Sequence, residues 1–95
     1  MYVAVRRYKV KAGSIDELAQ RAQEGFVPLI RQASGFVAYY GVATGSDSLF
    51  TVSIFQDQAG ADASTKLAAD WVGQNLAEFM QGPPEVDAGE VRWSS

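Results

Sequence analysis

Two strand-like runs, Gly35-Phe36-Val37-Ala38-Tyr39-Tyr40-Gly41-Val42 and Leu49-Phe50-Thr51-Val52-Ser53-Ile54-Phe55, are apolar on both of their faces. Successive side chains of a strand point to opposite sides of a sheet, so a run without polar alternation needs cover on both sides. The chain has 95 residues and room for two helices, enough to cover one face only. A second copy of the chain is the expected cover for the other. Self-association also suits a domain of this size, which removes only about 60% of its unfolded surface from water when it folds alone.

Hydrophobic residues make up 47% of the sequence and charged residues 20%, the balance of one ordinary globular domain over residues 1–95. Eight basic against eleven acidic side chains leave a net charge of −3, with no basic footprint for nucleic acid or for an anionic membrane. The N-terminal apolar run from Tyr2 to Val5 is too short for a signal or transmembrane segment. A cytoplasmic protein is the expectation. Cysteine and histidine are both absent. That removes Ser-His and Cys-His nucleophile systems, an imidazole general base, thiolate chemistry, and the ordinary zinc, copper and His-ligated haem sites.

Tyr2 to Val10 reads as a first strand, closed by Lys11-Ala12-Gly13. Ser14-Ile15-Asp16-Glu17 has the form of a capping box, which predicts a helix start. From there Ile15, Leu18, Ala19, Ala22, Phe26, Leu29, Ile30 and Ala33 fall on one helical stripe. Pro28 lies on the polar side of that wheel, so it predicts a kink rather than a break, with Gly25 contributing to the bend and Ser34-Gly35 ending the helix. Thr44-Gly45-Ser46-Asp47-Ser48 predicts a hairpin between strands two and three. Asp57 is the expected N-cap of a second helix running to about Met80, where Gly82-Pro83-Pro84 stops it. Its inward arc holds Ala61, Ala68, Val72, Leu76 and Phe79, with Thr65 and Asn75 among them, and Val86 to Trp93 supplies a fourth strand.

The order β-α-β-β-α-β is the ferredoxin-like α+β arrangement, a four-stranded antiparallel sheet with both helices on one side. Alternation assigns Ala4, Arg6, Tyr8, Ala38, Tyr40, Thr51, Ser53 and Phe55 to the helix side of the sheet. Val3, Val5, Arg7, Val37, Tyr39, Phe50, Val52 and Ile54 then fall on the other side, together with Val91 and Trp93.

The junction Ser34-Gly35-Phe36 and the strand end Ile54-Phe55-Gln56-Asp57-Gln58-Ala59 resemble the dimeric α/β-barrel superfamily, and within it the antibiotic-biosynthesis-monooxygenase-like proteins. The resemblance covers nearly the whole chain. It implies a homodimer whose two sheets face each other, with a cavity between each subunit's sheet and helices. It also implies oxygenation of a small aromatic or polyketide-like molecule with no metal or organic cofactor; a non-catalytic ligand-binding or stress-associated barrel is the alternative. Phe55 stands where catalytic members often place a tryptophan, Thr51 where some carry an asparagine, and Arg6 where haem-degrading relatives carry an asparagine.

Five residues are candidates for substrate binding: Arg6, Tyr40, Phe55, Trp71 and Asn75. Arg6 offers a cation for a phenolate or carboxylate, or else a structural ion pair with Glu90 on the fourth strand. Asn75, an amide on an apolar helix face, either orients a ligand or bonds inside the core. Trp71, one turn earlier, either walls a cavity or packs, and the same two readings hold for Tyr40 and Phe55. The close acidic pairs, Asp16-Glu17, Asp57 with Asp62 and Asp87 with Glu90, read as helix-start or surface charges.

Overall fold

Hydrogen bonding in the computed structural model, which describes residues 1–95, follows the expected order. Strand β1 (Tyr2–Lys9) leads to α1 (Ile15–Arg21), a π-helical turn (Ala22–Phe26) and α2 (Val27–Ile30). Then come β2 (Phe36–Gly45), β3 (Ser48–Phe55), α3 (Gln58–Asn75), a 3-10 turn (Ala77–Phe79) and β4 (Glu85–Glu90). All pairings are antiparallel and the strand order is β2-β3-β1-β4, the ferredoxin-like sheet.

The first helical stretch is continuous across Pro28, as its position on the polar side implies, but the bend has a specific form. Pro28 has no N–H to return to the carbonyl four residues back, and the preceding turn widens so that Val27 N–H reaches Ala22 O. That turn holds an extra residue and retards the helical phase of α2. Phe26 and Ile30 remain buried, while Leu29, placed on the inner stripe by an unbroken α-period, turns outward and is 43% exposed.

Ser14 precedes α1 without the capping box: its hydroxyl donates to Lys11 O at 2.6 Å instead of accepting from the helix. Asp57 does cap α3, its carboxylate accepting from Gly60 N at 2.9 Å. Gly35, at φ 78°, holds the left-handed turn that leads into β2, and its carbonyl accepts from Gln56 N. The hairpin turns at Ser46-Asp47, between the paired Gly45 and Ser48.

The fold corrects the face assignment on β2. Phe36 pairs with Phe55 and Ala38 with Ile54, so Val37 is the extra residue of a bulge. A one-residue slip exchanges the faces of everything beyond it. Tyr39, opposite Ser53, therefore faces the helices, and Tyr40, opposite Val52, faces away and is 57% exposed. The fourth strand ends at Glu90, and Trp93 lies beyond it in the open.

The core forms two clusters under the helices. One contains Ala4, Phe26, Ile30, Phe55, Ala61 and Ala68; the other contains Tyr8, Val10, Leu18, Leu76 and Phe79. Trp71 packs against both. Small residues on the inner face of α3, Ala61, Ser64 and Ala68, are buried where that helix meets the sheet. The opposite face of the sheet carries Val3, Val5, Tyr40, Val42, Phe50, Val52 and Ile54, with no helix over it.

Candidate functional site

A cavity of about 260 Å³ lies between the sheet and the helices, walled by Phe26, Trp71, Leu18 and Val72 from the helical layer and by Tyr8, Tyr39 and Thr51 from the sheet. The aromatic wall is tightly braced. Phe26 meets Tyr39 edge-on at 5.3 Å between ring centroids and lies 5.6 Å from Trp71 at a tilt of 50°. Trp71 approaches the helix opposite so closely that a Cβ on Gly25 would sit 2.7 Å from Trp71 Cζ2. That contact explains the glycine within the π-turn better than flexibility does.

Arg6 lies on the helix-side face of β1, opposite Thr51, and is only 1% exposed. Its Nη1 donates to Thr65 Oγ1 at 3.2 Å and its Nη2 to Ser53 Oγ at 2.7 Å. The guanidinium has no carboxylate partner: the ion pairs of the chain are Arg7–Asp87, Arg21–Glu17 and Arg21–Glu78. Glu90, the expected partner, is opposite Tyr2 at the far end of β1. Arg6 Nε and Thr51 Oγ1 are both buried without any hydrogen-bond partner.

A second cavity, of about 300 Å³, adjoins the first on the β4 side and is lined by Arg6, Thr65, Ala69, Gly73 and Val86. Tyr8, Val72 and Met80 belong to the walls of both. Burial pushes the Tyr8 and Tyr39 phenols above their ordinary value of 10.0, against an opposing pull from the nearby Arg6 charge. Both tyrosines therefore keep their protons at neutral pH and present O–H groups rather than phenolates.

The sequence candidates separate into two groups. Arg6 and Trp71 lie on cavity walls. Phe55 does not: it is wholly buried in the first core cluster, edge-on to Phe36 at 5.8 Å. Tyr40 is on the other side of the sheet because of the bulge. Asn75 is exposed at the last turn of α3, where its Nδ2 donates to Trp71 O at 3.0 Å. The helix stops there, a turn earlier than Met80, so the amide bonds back onto its own last turn while Leu76 and Phe79 close the core. Sequence reading did not single out Tyr8, Tyr39 and Phe26 as site residues. Tyr8 was on the correct face, and an arginine two positions away on the same face was the available signal. Tyr39 was hidden by a bulge that no glycine marks.

Residues 1–69 match the family model described as antibiotic biosynthesis monooxygenase. Among solved structures, NE2512, a protein of unknown function from Nitrosomonas europaea, is similar at a TM-score of 0.83 and 23% identity, over 99% of this chain and 91% of that one. A monooxygenase from the gene ActVA-Orf6 of Streptomyces coelicolor, in complex with the ligand nanaomycin D, is similar at 0.75 and 17%, over 99% and 89%. SnoaB, a cofactor-independent oxygenase from Streptomyces nogalater, is similar at 0.73 and 12%, over 98% and 94%. At these identities the likeness is one of fold. No curated protein matches the chain in sequence.

Proposed function

The chain belongs to the antibiotic biosynthesis monooxygenase family, and on that premise we propose that it oxygenates a small phenolic or polyketide-like aromatic with dioxygen, using no metal or organic cofactor. One observation carries this reading: a largely apolar, aromatic-walled cavity next to a buried guanidinium that no carboxylate neutralises. A phenol that loses its proton becomes an electron-rich anion able to reduce dioxygen. A C–O bond forms at a ring carbon and the O–O bond breaks. The ring hydrogen and the phenolic proton leave with one oxygen atom as water, and the ring remains as a quinone.

The protein's part is to bind, desolvate and stabilise the anion. Trp71 and Phe26 offer ring faces, Tyr39 and Tyr8 offer O–H donors, and Arg6 supplies the nearby positive charge. No carboxylate lines either cavity, so the substrate must be acidic enough to ionise itself. Two structural relatives, a monooxygenase and a cofactor-independent oxygenase, support the reading. Oxygen uptake with a panel of 1-naphthols and hydroquinones tests it. One dioxygen consumed per quinone formed is expected with 1-naphthol, and rates no higher than the protein-free blank would reject it.

The missing base also favours a second reading, a barrel that binds its ligand without transforming it. Recovery of the bound phenol unchanged after incubation in air, with oxygen unconsumed, would select that reading.

The proposed assembly is a homodimer. The helix-free face is an apolar patch of the kind that monomers seldom leave wet, and it spans three strands from Val3 to Val42. At its β4 border the exposed Arg7–Asp87 ion pair, 2.7 Å apart, makes a polar rim. A second sheet packed on that face covers it.

A further inference from the structure

We propose that the cavity between α3 and β4 is a carboxylate subsite of the same substrate pocket, with Arg6 facing the ligand, so that the molecule held by the apolar cavity is an aromatic acid. This inference rests on the aromatic reading above and names its substrate class.

A guanidinium stays protonated under all ordinary conditions, and a buried cation without a counter-charge is costly. Arg6 has five N–H donors in its fork, of which the two bonds to Ser53 and Thr65 use two, and both acceptors are neutral. The neighbouring Tyr8 and Tyr39 are neutral as well. No acidic residue of β4 pairs with Arg6: Glu90 shares its face but is exposed and lies four residues away along β1, and the other two are on the helix-free face. Asp87 is opposite Val5 and bonds Arg7 on the helix-free face; Glu85 is opposite Arg7 and Glu90 opposite Tyr2. Asp62 and Asp70 of α3 are exposed. The missing negative charge therefore has to come from a ligand.

Ala69, Gly73, Ala77 and Gly82 rim this cavity, all small and all exposed, so solvent reaches a space whose inner wall holds Arg6. Tyr8, Val72 and Met80 are common to both cavities, which makes them adjoining chambers rather than separate sites. One guanidinium balances one charge, and the other walls are mostly apolar. That fits a carboxylate on a short carbon arm better than a phosphate dianion.

The test monitors the Arg6 Nε–H resonance of the full-length protein by NMR while butyrate or butyramide is added. Butyrate should shift that resonance to saturation at millimolar concentration, and butyramide should leave it in place at tenfold higher concentration. Ala69→Leu, which fills the mouth without touching Arg6, should abolish the butyrate effect. A resonance that ignores butyrate, responds equally to the amide, or still responds in Ala69→Leu overturns the subsite. A second arm compares 3-(1-hydroxy-2-naphthyl)propionate with its methyl ester by calorimetry. At least tenfold tighter binding of the acid is expected, with that preference over the ester lost in Arg6→Met. Equal binding of acid and ester to the natural protein rejects the subsite and leaves the aromatic reading intact. A butyrate response with neither naphthol compound binding upholds the subsite and removes the aromatic reading.

Discussion

Arg6 Nη2 donates to the Ser53 hydroxyl at 2.7 Å, and both residues are almost wholly buried, at 1% and 0% exposure. A strong cation thus sits in the middle of a small sheet, held by a neutral partner. A residue kept there for stability alone would be paired with a carboxylate. Arg6→Met should therefore cost little: the loss of two hydrogen bonds, about 1 kcal/mol each, is offset by removing an unpaired buried charge. Urea unfolding should place the variant within about 1 kcal/mol of the natural protein, or above it. A loss beyond about 3 kcal/mol would mark Arg6 as a structural group.

The two adjacent tyrosines of β2 should behave oppositely. Tyr39 reaches the cavity and Tyr40 does not. Tyr39→Phe should lower kcat for naphthol oxygenation on the order of 10²-fold through loss of one anion-stabilising donor. Tyr40→Phe should leave kcat unchanged. Steady-state oxygen uptake distinguishes them, and equal effects would refute the placement of the bulge.

Gly25→Ala puts a methyl group 2.7 Å from Trp71 Cζ2. Overpacking of this kind costs about 1–3 kcal/mol. The cost should largely vanish in Gly25→Ala combined with Trp71→Leu, a coupling that a double-mutant cycle measures directly. Additive losses would mean that the two residues do not meet.

Stability should fall on the alkaline side. Tyr8 and Tyr39 titrate above 10.0 in the folded protein because burial disfavours their charged forms. Their contribution is complete below the unfolded value of 10.0 and is lost as pH rises from there through the higher native values. Thermal melts between pH 8 and 11 should show the midpoint dropping above about pH 10. Tyr8→Phe with Tyr39→Phe should flatten that drop.

On the uncovered face, Val52→Arg puts a charge at the centre of the apolar patch while leaving the helix side untouched. Sedimentation should report a dimer for the natural chain and a monomer for the variant. A natural chain that sediments as a monomer would refute the proposed assembly.

Most of this architecture was legible in the sequence because it depends on periodicity and caps. The Asp57 cap, the hairpin at Ser46-Asp47 and the outward Pro28 each act locally and each left a local mark. The site was less legible because two of its determinants act by shifting phase. The bulge at Val37 exchanged Tyr39 for Tyr40, and the π-turn moved Leu29 out. The bulge needs no distinctive residue, and Pro28 marks the bend without marking the extra residue in the turn before it. Asn75 misled for a different reason: a helical wheel has no end, and the real helix stops at that residue.

The most direct test is a structure of the protein crystallised with 3-(1-hydroxy-2-naphthyl)propionate. The ring is expected against Trp71 and Phe26, its hydroxyl within hydrogen-bond reach of Tyr39 or Thr51, and its carboxylate on Arg6. A ring bound instead on the helix-free face, against Tyr40 and Phe50, with both cavities empty, would contradict the proposed site.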